Sequence, residues 1–208
     1  MVRALSTKNL FDKKYKTFGL DGLWAQAMGE PTRNGIWTIY GKEKHGKTWF
    51  TLKVADLLSE FERVLYISAE EGVDKTFVDA VKRAGIKVGK SRLSYLEYLP
   101  IDELEARLDR RKSPNVIVFD NCTIYADDFK GGILRRLLYK YPDKLFIYVA
   151  HEEKNEPSNA LGRLAKKLSK IIIRVQGLTA FISGRCPGGT ISIDEQKSQL
   201  FWGTIENE

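Results

Sequence analysis

Gly41, Gly46, Lys47 and Thr48 stand in the order Gly-x-x-x-x-Gly-Lys-Thr, the Walker A pattern, inside the stretch Gly41-Lys42-Glu43-Lys44-His45-Gly46-Lys47-Thr48-Trp49. Phosphate oxygens need several converging N–H donors, and a glycine-rich turn lets the backbone approach that closely. A helix starting near Lys47 would aim its N-terminus and its dipole at the same phosphates. Lys47 is then expected to neutralise the β- and γ-phosphates of ATP, and the Thr48 hydroxyl to ligate Mg²⁺. The whole stretch from Gly41 to Trp49 is expected to line the nucleotide. Hydrolysis also needs one carboxylate to anchor the metal and another to orient or deprotonate the attacking water. Asp120 closes the apolar run Val116-Ile-Val-Phe, a Walker B pattern, and is expected to serve the metal. Glu70 and Glu71 follow Val64-Leu-Tyr-Ile-Ser-Ala, and either one can supply the base, with Glu70 nearer the strand.

These groups work only if strands and helices deliver them to one place. Residues 36–40 form a short β-rich run, and residues 47–61 repeat apolar side chains at helical spacing: Phe50, Val54, Leu57, Leu58 and Phe61. The pattern then alternates: strand 64–69, helix 75–84, extended 93–99, helix 101–111, strand 116–119, helix 129–141, strand 145–150 and a basic helix 159–170. Beyond residue 171, short strands at 171–175, 179–183 and 190–193 are split by Gly177 and by Pro187-Gly188-Gly189. The alternation predicts an α/β fold with a mostly parallel central sheet and helices on both faces. The last strands predict an antiparallel C-terminal extension. Residues 1–35 read as a basic and aromatic arm packing on a core of residues 36–208. Asp127 and Asp128 read as the N-terminal residues of the helix that follows them.

At 208 residues, with 43% hydrophobic and 29% charged residues, the composition is that of one soluble domain. No apolar run approaches the ~18 residues that cross a bilayer. The first residues lack the apolar core of a signal peptide. Cys122 and Cys186 are too few for a disulfide framework or a four-cysteine zinc site. These features predict a cytoplasmic protein with no membrane partner. A net charge of +7 and a pI near 9.3 favour a polyanionic partner, nucleic acid above all.

The order of phosphate loop, helix, strand ending in Glu-Glu, Walker B strand, helix and strand ending in His resembles the RecA-like ATPases. That group includes RecA recombinases, DnaB-type replicative helicases, RadA and KaiC. Glu43 occupies the third loop position, as glutamate does in RecA loops. The strand before Glu70-Glu71 is similar to the RadA and KaiC strand whose first glutamate is catalytic, which implies that role for Glu70. Phe146-Ile-Tyr-Val-Ala-His151 is similar to the family's sensor strand and implies a place for His151 near the γ-phosphate. Phe181-Ile-Ser-Gly-Arg185 is a looser match to the family's Lys-Asn-Arg strand, with Ser183-Gly184 in place of Lys-Asn. It implies that Arg185 reaches the ATP of a neighbouring subunit. Lys154, Arg163, Lys166, Lys167 and Lys170 fall where the family places a DNA-facing loop. The resemblance spans residues 36–205. It implies a Mg²⁺-dependent ATPase acting with single- or double-stranded DNA in replication, recombination or repair, as a homo-oligomeric ring or filament. The chain resembles a stand-alone core of phage or mobile-element type. Two other readings stay open: a P-loop nucleoside kinase, and a nucleotide-dependent regulatory switch with poor hydrolysis. The thymidine kinases usually have the four-cysteine zinc site that two cysteines cannot build.

Overall fold

Runs such as Val64–Ser68 and Val116–Asp120 bury every residue, so their strands are covered on both faces. The computed structural model describes residues 4–89 and 92–205. The first three residues of the N-terminal arm, Lys90, Ser91 and the last three residues lie outside it. In chain order the strands are β1 (Gly35–Gly41), β2 (Val64–Ser68), β3 (Leu93–Leu96), β4 (Val116–Asp120), β5 (Leu145–Glu153), β6 (Glu156–Pro157), β7 (Ile171–Gln176), β8 (Thr179–Gly184) and β9 (Gly189–Ser192). The helices are α1 (Thr7–Phe11), α2 (Gly22–Met28), α3 (Lys47–Ser59), α4 (Lys75–Arg83), α5 (Ile101–Leu108), α6 (Ile133–Lys140), α7 (Ala160–Leu168) and α8 (Glu195–Ile205).

One sheet runs β3-β2-β4-β5-β1-β7-β8-β9, with β6 paired to β5. The strands from β3 across to β7 are parallel, and β8 and β9 add antiparallel to β7. Two cores sandwich the sheet. Phe50, Val54 and Leu58 of α3 and Phe77 of α4 pack against Trp37, Ile39, Tyr66 and Val118 on one face. Leu104, Leu137 and Leu161, from α5, α6 and α7, pack against Ile36, Leu65, Ile117 and Phe119 on the other. The alternation of strand and helix in the sequence is realised as an α/β fold with the expected antiparallel extension.

Part of the N-terminal arm joins the first core. Phe18 is fully buried, edge-on to Trp37 with ring centroids 6.0 Å apart, and Ala27 and Met28 of α2 are buried as well. By contrast, α1 buries none of its residues. The expected helix over residues 129–141 is interrupted. Gly131 and Gly132 adopt φ of 70° and 84°, so Lys130–Gly132 makes a single 3₁₀ turn and α6 begins at Ile133. Asp127 and Asp128 lie in the turn before it, not at a helix N-terminus.

Candidate functional site

Strand β1 ends between two others: Gly41 registers with His151 of β5 on one side and with Val175 of β7 on the other. A Cβ on Gly41 would stand 2.1 Å from the Val175 carbonyl oxygen, so the sheet can pass this point only with glycine there. Gly46 has a φ of 96° and caps α3, which starts at Lys47 as the phosphate pattern requires. Lys47 is 9% exposed, and its Nζ donates to the Lys42 carbonyl at 2.8 Å across the loop. Burial pulls its pKa down, against the opposing pull of Asp120, Glu70, Glu43 and Glu152. The loop is braced from behind by the β7–β8 turn. Gly177 N–H donates to His45 Nδ1 at 3.0 Å, and Leu178 N–H donates to the His45 carbonyl at 3.3 Å. Phe201 of α8 meets the His45 ring edge-on at 5.5 Å.

The carboxylates gather at the same end of the sheet. Ser68 and Asp120 are register partners on β2 and β4, and Asp120 is buried. Its Oδ2 accepts a hydrogen bond from the Tyr66 hydroxyl. Burial pushes the Asp120 pKa up, the Tyr66 bond and Lys47 pull it back, and Glu71 and Glu70 raise it again, leaving it at about 6. Glu70 Oε2 accepts from Asn121 Nδ2 at 2.9 Å, and Glu70 Oε1 lies 3.3 Å from His151 Nε2. Glu71 makes neither contact. Desolvation and the neighbouring Glu70 and Asp74 push its pKa up, with Arg83 opposing. Lys47, Glu70, Asp120 and His151 thus converge from four separate elements. Thr48 follows Lys47 in the first turn of α3.

Several members of this site are not legible as motifs. Tyr66 reads as one more apolar strand residue, and only its partner Asp120 gives its hydroxyl a role. Glu152 and Arg174, adjoining the loop end of β5 and β7, form a two-pronged ion pair with N–O distances of 2.9 and 2.7 Å, and Arg174 also reaches Asn155 at 2.7 Å. The Glu152 side chain is 1% exposed, and its charge acts on both Lys47 and His45.

The remaining expected residues do not join this cluster. Arg185 follows β8, and its N–H donates to the Lys170 carbonyl at 2.7 Å, at the start of β7. The phosphate loop is at the other end of that strand, about 17 Å away along a rise of ~3.3 Å per residue. Three of the five expected nucleic-acid contacts are held by neighbouring groups. Lys166 is tied to Glu156 at 2.7 Å with its ammonium 4.7 Å from the Tyr40 ring centroid. Arg163 is held by the carbonyls of Pro157 and Ser158, and Lys170 by Thr32 and Asn34. Lys154 and Lys167 are exposed.

No family model matches the sequence, and no curated protein matches it. Among solved structures, the chain is similar to the flagellar accessory protein FlaH from Methanocaldococcus jannaschii. The TM-score is 0.60 at 17% identity, over 87% of this chain and 96% of that one. The fold is RecA-like. A second structure, a unique ATP synthase subunit NeqB from Nanoarcheaum equitans, aligns with a TM-score of 0.49 at 11% identity. That alignment spans 72% of this chain and 47% of NeqB. Among the described residues, no helix is long and apolar enough to cross a membrane.

Proposed function

We propose that this chain is an ATPase of RecA-like fold that binds Mg·ATP at residues 41–49, hydrolyses it, and works with DNA. The observation that supports it best is the position of Lys47. A nearly buried ammonium ends on a loop carbonyl, among the charges of Asp120 and Glu70 and beneath a helix N-terminus. A polyanion entering there would find a cation and converging amides already in place. Mg²⁺ suits the same spot, because it is usually held by one or two carboxylates together with phosphate oxygens and water. Asp120 and the Thr48 hydroxyl would hold it, and the crowding of Asp120, Glu70 and Glu71 is the charge that a divalent cation relieves. When bound, the metal would neutralise charge developing on the phosphates. Glu70 is the candidate base: half-exposed to admit water, and aimed by Asn121 and His151 on its two oxygens. The RecA-like fold and the net charge of +7 support DNA as the partner.

The test is nucleotide binding by calorimetry and phosphate release with and without single-stranded DNA, for the wild type and for Lys47→Ala. Binding and turnover are expected in the wild type and lost in the variant. Normal hydrolysis by a folded Lys47→Ala protein would refute the assignment. Phosphate transfer to a nucleoside would favour a kinase instead.

A further inference from the structure

At the opposite end of the sheet from the phosphate loop, the amino ends of β2, β3 and β4 frame a polar cleft of about 470 Å³. Its walls include Phe61, Glu62, Arg63, Arg92, Lys112 and Asn115. Two guanidiniums there are held by neutral carbonyls and not by carboxylates: Arg63 by Lys112 at 2.6 Å, and Arg92 by Glu60 at 2.9 Å. Each keeps further N–H donors in the planar fork that suits phosphate oxygens. Among the described residues lining the cleft, Glu62 is the one that is acidic, and its charge is already answered by Arg33 at 2.9 Å and Lys16 at 3.3 Å. Among the described residues no carboxylate pairs with Arg63, Arg92 or Lys112, which present positive charge in a concave setting.

The arm meets the cleft at Glu62, which pairs with Lys16 at 3.3 Å. Lys16 leaves the cleft wall into Phe11-Asp12-Lys13-Lys14-Tyr15, where Phe11 is 81% and Tyr15 58% exposed. The Lys13 ammonium lies 5.4 Å from the Tyr15 ring centroid. Exposed aromatic faces interleaved with lysines suit the stacked bases and spaced phosphates of a single strand. A cleft this small admits a strand's phosphates but not a duplex. Helix α1, at five residues, is too short to lie in a membrane as an amphipathic helix.

We propose that single-stranded nucleic acid binds at this amino end of the sheet, with its phosphates on Arg63, Arg92 and Lys112 and its bases stacked on Phe11 and Tyr15. The proposal rests on the nucleic-acid partner named above but not on hydrolysis, and it moves the contact away from all five residues first expected to make it, Lys154, Arg163, Lys166, Lys167 and Lys170.

The experiment is fluorescence anisotropy of labelled oligothymidylate across a salt series, on the full chain. In Arg63→Glu/Arg92→Glu/Lys112→Glu the slope of log K against log salt should fall by about 2, at ~0.7 per phosphate lost. Phe11→Ala/Tyr15→Ala should weaken binding about fivefold or more with the slope unchanged. Lys154→Glu/Lys167→Glu should bind as the wild type does. Calorimetric ATP affinity checks that each variant is folded, and Arg92→Gln/Lys112→Gln, which keeps the Arg63 bond, replaces the triple variant should that one fail to fold. An unchanged slope in the cleft variants, or loss in Lys154→Glu/Lys167→Glu instead, overturns the site while leaving the partner standing. Wild-type binding to anionic vesicles and to no single-stranded DNA overturns both.

Discussion

The Tyr66 hydroxyl donates to Oδ2 of Asp120 across neighbouring parallel strands, so the carboxylate proposed to hold the metal is aimed by a fully buried phenol. Residues that orient a metal ligand commonly alter metal affinity 10–100-fold when replaced. Tyr66→Phe keeps the ring among Phe77 and Tyr95 and removes only the donor. The Mg²⁺ concentration for half-maximal turnover should rise about tenfold or more, with nucleotide affinity in EDTA unchanged. A Mg²⁺ titration identical to the wild type's would show that Asp120 needs no such help.

Glu70 and Glu71 are separable by their surroundings. Glu70 has Asn121 and His151 on its oxygens, whereas Glu71 sits beside Asp74 and Arg83. Glu70→Gln should bind Mg·ATP normally and hydrolyse it roughly 10²–10⁴-fold more slowly, the usual worth of a general base. Glu71→Gln should stay within about threefold of the wild type on the same scale. The reverse ranking in single-turnover kinetics would transfer the role to Glu71.

Glu62 links the arm to the core and predicts an acid sensitivity. Burial pushes its pKa up, but hydrogen bonds from Asn115, Arg33 and Lys16 outweigh burial and leave it below the ordinary range. A carboxyl with a depressed folded-state pKa adds stability that is complete above its unfolded value of ~4.3 and is lost as pH falls through the folded one. Urea midpoints should therefore drop less between neutral pH and about pH 3 in Glu62→Gln than in the wild type. Parallel pH curves for the two proteins would exclude this contribution.

Arg185 is the proposed donor to a neighbour. Far from its own phosphate loop, it can serve ATP only across a head-to-tail contact of the kind that builds rings and filaments. Turnover per subunit should rise with protein concentration, and mixing Arg185→Ala with Lys47→Ala should restore activity that neither has alone. Full activity in a strictly monomeric protein, measured by light scattering alongside phosphate release, would exclude a role in trans.

The legible part of the molecule is the part written in periodicity and fixed spacing. Residues 64–69 and 116–119 carry no charged side chain because both faces of their strands are covered, and the phosphate loop has a pattern tied to its mechanism. What was not legible depends on contacts across the chain. Tyr66 looks like core until Asp120 is beside it, and Arg174 looks like a surface arginine until Glu152 meets it. Lys166 and Lys170 look like solvated lysines, yet one sits over Tyr40 and the other ties down Thr32 and Asn34. Helix α8 gives no clear periodic signal because Glu195–Ile205 has little amphipathic contrast, and its place is set by Phe201 against His45 and Trp202 donating to Thr179.

The position of β1 between β5 and β7 also fixes an order of events during synthesis. A ribosome releases residues 35–49, with every group of the phosphate loop, long before residues 145–151 and 171–175 that flank β1 in the finished sheet. Until then this apolar strand has no lateral partners, and such long-range parallel pairing is slow. The nascent chain therefore holds the complete phosphate-loop sequence before its flanking strands exist, and the proposed competence to bind nucleotide would arrive late and all at once. Stalled chains ending before residue 171 should need a chaperone's cover.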